Sequence, residues 1–122
     1  MDAVTQVTQA LGAYGERLAA RHLREAGLVL LDRNWRSRNG EIDLIARDGD
    51  VLVFCEVKTR RGPGFGSPAE AVDGRKVARL RRLAAEWLAQ SRMRPREVRF
   101  DVVCVLTPHR GAPTVEHVRG AF

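Results

Sequence analysis

The sequence predicts an α/β fold, a sandwich built on a mixed four- or five-stranded sheet flanked by helices, in the order αβββαβ(β). Three observations carry the prediction. Asp48-Gly49 is a hairpin signal between two strand-like runs, because glycine tolerates positive φ and aspartate is permissive beside it. Val51–Val57 and Val98–Leu106 are nearly continuous apolar runs, the pattern of strands buried on both faces. Two helical patterns, at 8–26 and 69–90, flank the hairpin and precede the last long strand. With 122 residues there is room for one domain, 1–122, and one modest core.

Taken in order, Thr8 to Ala26 reads as the first helix, with Gly27 as its stop. On a helical wheel Arg17, Arg21, Arg24 and Glu25 fall on one side, and Ala19, Ala20, Leu23 and Ala26 on the other. Glu16 lies near the middle of the apolar side, so it points inward and needs a partner. Leu28–Leu31 opens a first strand that continues to Trp35-Arg36, with Trp35 expected to pack rather than to stack on a base. Ser37–Gly40 turns the chain into the hairpin. Thr59–Pro68 is expected to be a loop on its glycines, prolines and arginines, with Phe65 docked on the core. The second helix is expected at 69–90, with Leu80, Leu83, Ala84, Trp87 and Leu88 as its buried stripe. Pro95 breaks the chain before the strand Val98–Leu106, and Thr114–Val118 is the candidate fifth strand, at an edge.

The chemistry concentrates in the hairpin. With Asp48-Gly49 as the two loop residues, Arg47 faces Asp50, Asp43 faces Phe54 and Glu41 faces Glu56. Glu41, Asp43, Glu56 and Lys58 then share one face, and a four-residue loop keeps the same faces. A slip of one residue would separate Asp43 from Glu56. Two carboxylates converging on one spot repel each other, and a divalent cation relieves them. Hard oxygen ligands of this kind suit Mg²⁺ or Mn²⁺, with Lys58 as a cation beside the metal.

Asp43, then Glu56-Val57-Lys58, resembles the D…E-x-K core of the PD-(D/E)xK, or restriction-endonuclease-like, nuclease superfamily. The longer strings Gly40-Glu41-Ile42-Asp43-Leu44-Ile45 and Phe54-Cys55-Glu56-Val57-Lys58-Thr59-Arg60 closely resemble the bacterial YraN family, similar in fold to archaeal Holliday-junction resolvases. The resemblance runs from about Gly12 to about Leu106. Ile42 stands where the superfamily has its proline. The resemblance implies a restriction-endonuclease-like sandwich with Asp43 and Glu56 as metal ligands, the Val57 carbonyl as a further ligand, and Lys58 as the catalytic lysine. It also implies that Glu16 is the helix glutamate that helps to bind or position the metal, and it extends to a homodimer.

Lys+Arg 21 against Asp+Glu 15 gives a net charge of +6, which points to a polyanionic partner, nucleic acid first and DNA favoured, or to an ordinary solvated basic surface. Arg60 and Arg61 follow the site directly, and Arg75, Lys76, Arg79, Arg81 and Arg82 crowd the second helix; Arg60, Arg61, Arg75, Lys76, Arg79 and Arg82 are the candidate phosphate contacts. Asp101 is expected to pair structurally with an arginine. Cys55 and Cys104 read as buried thiols rather than a disulfide, and His22, His109 and His117 show no metal-ligand spacing. The N-terminus Met1–Gln6 lacks the basic-then-apolar pattern of a signal peptide, and no apolar run reaches membrane-spanning length; no membrane association and a cytoplasmic location are the expectations. Three functions fit these residues. They are a metal-dependent endonuclease acting on DNA, branched or structured DNA included, a nucleic-acid-binding module that keeps the fold without useful catalysis, and a structural partner protein in which Glu56 and Lys58 merely pair.

Overall fold

A computed structural model describes residues 3–62 and 74–122. Its elements run α1 (Ala3–Glu25), β1 (Val29–Ser37), β2 (Gly40–Asp48), β3 (Val51–Arg61), α2 (Gly74–Ser91), β4 (Glu97–Thr107) and β5 (Thr114–Val118). The strands form one sheet in the order β1-β2-β3-β4-β5, antiparallel throughout except for the β3–β4 pair. This is the mixed α/β sandwich that the sequence predicts, with the fifth strand present at the edge.

The helices cover opposite faces. Ala19, Ala20 and Leu23 of α1 pack with Leu44, Ala46, Val53, Cys55, Val103 and Val105. Leu80, Leu83, Ala84 and Trp87 of α2 pack with Ile42, Ile45, Leu52, Phe54 and Phe100, with Trp35 and Leu88 against them. The central strands are therefore apolar on both sides, which is why β3 and β4 read as unbroken hydrophobic runs. β3 and β4 pair in parallel from Val51↔Glu97 to Arg61↔Thr107, and parallel strands need a crossover, which the segment containing α2 supplies.

The first helix begins at Ala3, five residues before the expected start, because 3–7 contain no glycine or proline to stop it. It ends as expected. Gly27 takes φ +95°, its N–H bonds the Arg24 carbonyl, and the Leu28 N–H bonds the Leu23 carbonyl, both at 3.0 Å. That pair of bonds is a Schellman cap, which requires the left-handed conformation glycine adopts freely.

Two expectations need correction. The β2–β3 loop is Gly49-Asp50, since Asp48 pairs with Val51 and Leu44 with Cys55. The register thus differs by two residues from the expected one. An even shift preserves the faces but alters the partners, so Glu41 is not opposite Glu56, and the ladder ends at Leu44↔Cys55, just before Asp43 and Glu56. The cause is Gly49 at φ +62°, which takes the first loop position where Asp48 was expected. Second, Thr59, Arg60 and Arg61 are not loop but the end of β3, held by Val105, Leu106 and Thr107 of β4. Composition pointed to a loop, and eleven rungs of parallel pairing outweigh it. The rest of that loop, Phe65 included, and the first residues of the expected second helix, 69–73, lie outside the described residues. Cys55 is buried, Cys104 half-buried, and both are free thiols. Among the described residues no helix is long and apolar enough to cross a membrane.

Candidate functional site

The site forms where β2 parts from β3. Their ladder stops at Leu44↔Cys55. Continued by two residues it would set Ile42 opposite Val57. Instead the Asp43 carboxylate takes the Val57 N–H, Oδ2 accepting at 2.8 Å. Alternation breaks at the same place. Leu44 and Ala46 face α1, Ile45 faces α2, and Ile42 also lies with the α2 cluster. A local irregularity at Asp43 thus turns its side chain toward β3, where a regular strand would send it up or down. The carboxylate replaces a backbone partner and sits beside Glu56.

Glu56, half-buried on β3, contacts two ammonium groups through one oxygen. Oε1 lies 3.0 Å from Lys58 Nζ and 3.2 Å from Lys76 Nζ. Lys58 shares its strand and face; Lys76 arrives from the first turns of α2. Asp43, Glu56, Val57, Lys58, Lys76 and Arg79 line one cavity of about 300 Å³, with Glu41 at its side and Leu80 and Leu83 on its α2 wall.

Glu16 approaches from α1, across the sheet, and does not line this cavity. Its helix lies close to β3 because Gly15 is buried there without a side chain. A Cβ at Gly15 would lie 2.9 Å from the Thr59 Cβ and closer still to the hydroxyl. This close approach brings the Glu16 charge within range of Asp43.

The electrostatics of Asp43 follow. Burial raises its pKa from the ordinary 3.8 to about 6, against the Val57 hydrogen bond, which lowers it, and with the charges of Glu16, Glu56 and Glu41 raising it further. Lys58 moves the other way from what burial alone would do. Burial lowers an ammonium pKa, but the Glu56 contact and the Asp43 charge outweigh it and raise it, so Lys58 stays charged.

The structure therefore brings together Asp43, Glu56, Val57, Lys58, Lys76 and Arg79. It leaves Arg60 and Arg61 at the exposed end of β3, and Arg75 and Arg82 on the outer side of α2, away from the cavity. Arg81 stacks over Phe100 at 5.0 Å from the ring centre. Sequence reasoning missed Glu86. Its carboxylate accepts from Ser37 Oγ and from Asn39 Nδ2, each at 3.1 Å, and so fastens the β1–β2 turn to α2. The available signal was that Glu86 is the single acid in a helix segment otherwise rich in arginine.

The chain matches the model of Uncharacterised protein family UPF0102 over residues 15–105. A UPF0102 protein of Frankia alni is 63% identical over 113 residues, covering 93% of this chain and 94% of that protein. One from Rhodococcus opacus is 61% identical over 93% of this chain and 96% of its own length, and one from Streptomyces griseus is 62% identical over 91% and 94%. The chain belongs to the UPF0102 family. This is the family that the hairpin strings resemble under the name YraN, and the matched span contains Glu16, Asp43, Glu56, Lys58, Lys76 and Arg79.

A divalent cation has to fit these residues on their own terms. Among the described residues no three His, Cys, Asp or Glu side chains come together as a ready metal cage. The donor set is the two carboxylates, Asp43 and Glu56, with Val57 lining the same cavity. That set suits Mg²⁺ or Mn²⁺, since Mg²⁺ is held by one or two carboxylates and keeps much of its water, and it does not suit zinc. Asp43, with its raised pKa and three acidic neighbours, is the group that a cation would relieve most.

Proposed function

We propose that this chain is a metal-dependent endonuclease, hydrolysing phosphodiester bonds of nucleic acid, DNA first, with Asp43 and Glu56 holding Mg²⁺ or Mn²⁺ and the Val57 carbonyl as a further ligand. One observation carries the proposal. The half-buried Asp43 carboxylate, its proton affinity raised by burial and by the charges of Glu16, Glu56 and Glu41, lines with Glu56 and Glu41 a cavity whose other wall is Lys58, Lys76 and Arg79. An acid with a raised proton affinity beside basic side chains in one small opening fits a cation and a phosphate side by side. When bound, the metal supplies a water of lowered pKa and neutralises charge that builds on the scissile phosphate.

The chain's own groups do the rest. Lys58 donates from β3 toward the reacting phosphate or its attacking water, where a fixed ammonium in a half-dry site counts for more than in bulk solvent. Lys76 and Arg79 hold the phosphate from the α2 side. Glu16 is a positioning residue, acting through Asp43. A homodimer on branched DNA extends the same reading.

A second reading is favoured by the Glu56 contacts. Two lysines already neutralise that carboxylate, and a site satisfied in this way serves as well for nucleic-acid binding without catalysis. A cleavage assay separates the two. Single-stranded DNA, duplex, flap, four-way junction and structured RNA are incubated with Mg²⁺ or Mn²⁺, with EDTA and Glu56→Ala as controls. Metal-dependent cutting by wild type alone supports the endonuclease. Salt-sensitive binding with no cutting by wild type supports the binding module, and equal cutting by Glu56→Ala overturns the site assignment.

A further inference from the structure

A second cavity, about 500 Å³, opens beside the first and shares Glu41 and Arg79 with it. Its walls are Arg36 at the end of β1, Arg38 in the β1–β2 turn, and Arg79 on α2, with Ser37 and Gly40 between them. Three guanidinium groups from three different elements converge on one opening. Like charges gathered in this way repel, and an arriving anion relieves that repulsion. Arg36 is paired with Glu41 at 3.2 Å, whereas Arg38 and Arg79 form no ion pair with any described carboxylate.

The scaffold is built to hold this shape. The turn is tight, since Ser37 pairs with Gly40 and the Asn39 N–H bonds Ser37 Oγ at 3.0 Å. Glu86 grips the turn through Ser37 and Asn39. Gly40 takes φ +138° against α2, where a Cβ would sit 3.4 Å from Leu83 Cδ1 and 3.6 Å from Arg79 Cδ. Glycine thus permits the turn through its positive φ, and Gly40 packs in ordinary contact with Leu83 and Arg79.

We propose that this second cavity is a subsite for a non-scissile phosphate of the bound nucleic-acid strand, next to the one held at Asp43 and Glu56. The assignment rests on the endonuclease or binding reading of the first cavity. Glu41 stands between the two cavities and, as an anion, keeps phosphates out of the space between. A strand crossing both is therefore held at two separate phosphates, with Arg79 shared, which fixes where along the strand the first cavity engages. Guanidinium forks suit phosphate oxygens through paired N–H donors.

The test uses the full chain with whichever of single-stranded DNA, duplex or four-way junction binds wild type best. Arg36→Ala/Arg38→Ala is compared with a charge-matched control, Arg24→Ala/Arg110→Ala, whose arginines are exposed on elements that do not border the cavity. The double variant should bind about tenfold more weakly at moderate salt, and its log–log salt slope should shrink by about one, as for one lost phosphate contact. The control should keep most of the wild-type affinity. Neutral methylphosphonates are then placed one at a time along the strand. One position should weaken wild type and have no further effect on the double variant. If the double variant and the control behave alike, or every methylphosphonate acts equally on both, the subsite is refuted while the first cavity stands. If wild type binds none of the three, both readings fall together.

Discussion

Replacing Asp43 by Asn should stabilise the fold at neutral pH, by an amount that the structure sets. Asp43 has its pKa raised from 3.8 to about 6, burial being the largest cause. A carboxyl that binds its proton more tightly when folded costs stability once both states are ionised. Below about pH 4 the group is protonated in both states and the cost is absent. Between 3.8 and about 6 the cost grows with pH, and above about 6 it is constant. A shift of this size corresponds to up to about 3 kcal/mol, and the partial exposure of the group trims the expectation to about 1–3 kcal/mol. Asparagine keeps an oxygen to accept the Val57 N–H and removes the charge that Glu16, Glu56 and Glu41 oppose.

The assay is thermal unfolding of wild type and Asp43→Asn from pH 4 to pH 8. At roughly 4 °C per kcal/mol for a chain of this size, the variant should melt about 4–12 °C higher at pH 8, with the gap closing toward pH 4. Mn²⁺ or Mg²⁺ should raise the melting temperature of wild type and leave Asp43→Asn little changed, because the variant has lost the charged ligand. A variant no more stable than wild type at pH 8, or an advantage that persists unchanged at pH 4, would refute the argument.

Other substitutions probe the rest of the site. Glu56→Ala should abolish metal-dependent cleavage while leaving nucleic-acid affinity equal or higher, measured by cleavage and by titration at fixed salt. Gly15→Ala forces a methyl to 2.9 Å from the Thr59 Cβ and should cost about 1–3 kcal/mol in denaturant unfolding; Thr59→Ala would keep that Cβ, so the partner variant is Thr59→Gly, in whose background Gly15→Ala should cost clearly less, and an equal cost would mean α1 is not held by this contact. Asp101→Asn should destabilise by about 2–4 kcal/mol at neutral pH, because it leaves Arg99 and His117 without their buried anion, and the gap between variant and wild type should narrow as pH falls from about 4 toward about 2, followed by circular dichroism.

Most of the architecture was legible because it rests on long, one-directional signals. The apolar runs of β3 and β4, the Gly27 stop, and the Leu80-Leu83-Ala84-Trp87 stripe all fold as they read. Misreadings came where neighbours outside the local window decide. Thr59-Arg60-Arg61 looks like loop until β4 is known to lie alongside it. In the hairpin, parity kept Asp43 and Glu56 together despite a register error of two residues, yet the break in alternation that turns Asp43 toward the Val57 N–H was not legible. The Lys76 contact to Glu56 was beyond reach too. An arginine-rich helix announces a charged surface, but which of its cations turns inward depends on how α2 crosses the sheet.

Two aspartates in this sheet, one fully buried and one half-buried, differ in how far the fold satisfies their charge. Asp101 is fully buried on β4. Burial alone would raise its pKa, yet His117, the Arg99 fork and the Gly120 N–H surround both oxygens and pull it down to about 2. The fold has supplied all the partners that the charge needs, and Asp101 pairs with an arginine as the sequence suggested. Asp43 is less buried but sits with one backbone N–H and three acidic neighbours, and its pKa stands at about 6. Folding would be easier with a neutral residue there. A chain that satisfies one buried acid with three donors and leaves another short of cations has the means to neutralise both. The deficit at Asp43 faces a cavity that Lys58, Lys76 and Arg79 also face, so the missing positive charge has room to arrive from solvent. That is the physical content of reading Asp43 as a ligand and Asp101 as a strut, and the opposite effects predicted for their two asparagine variants put it to measurement.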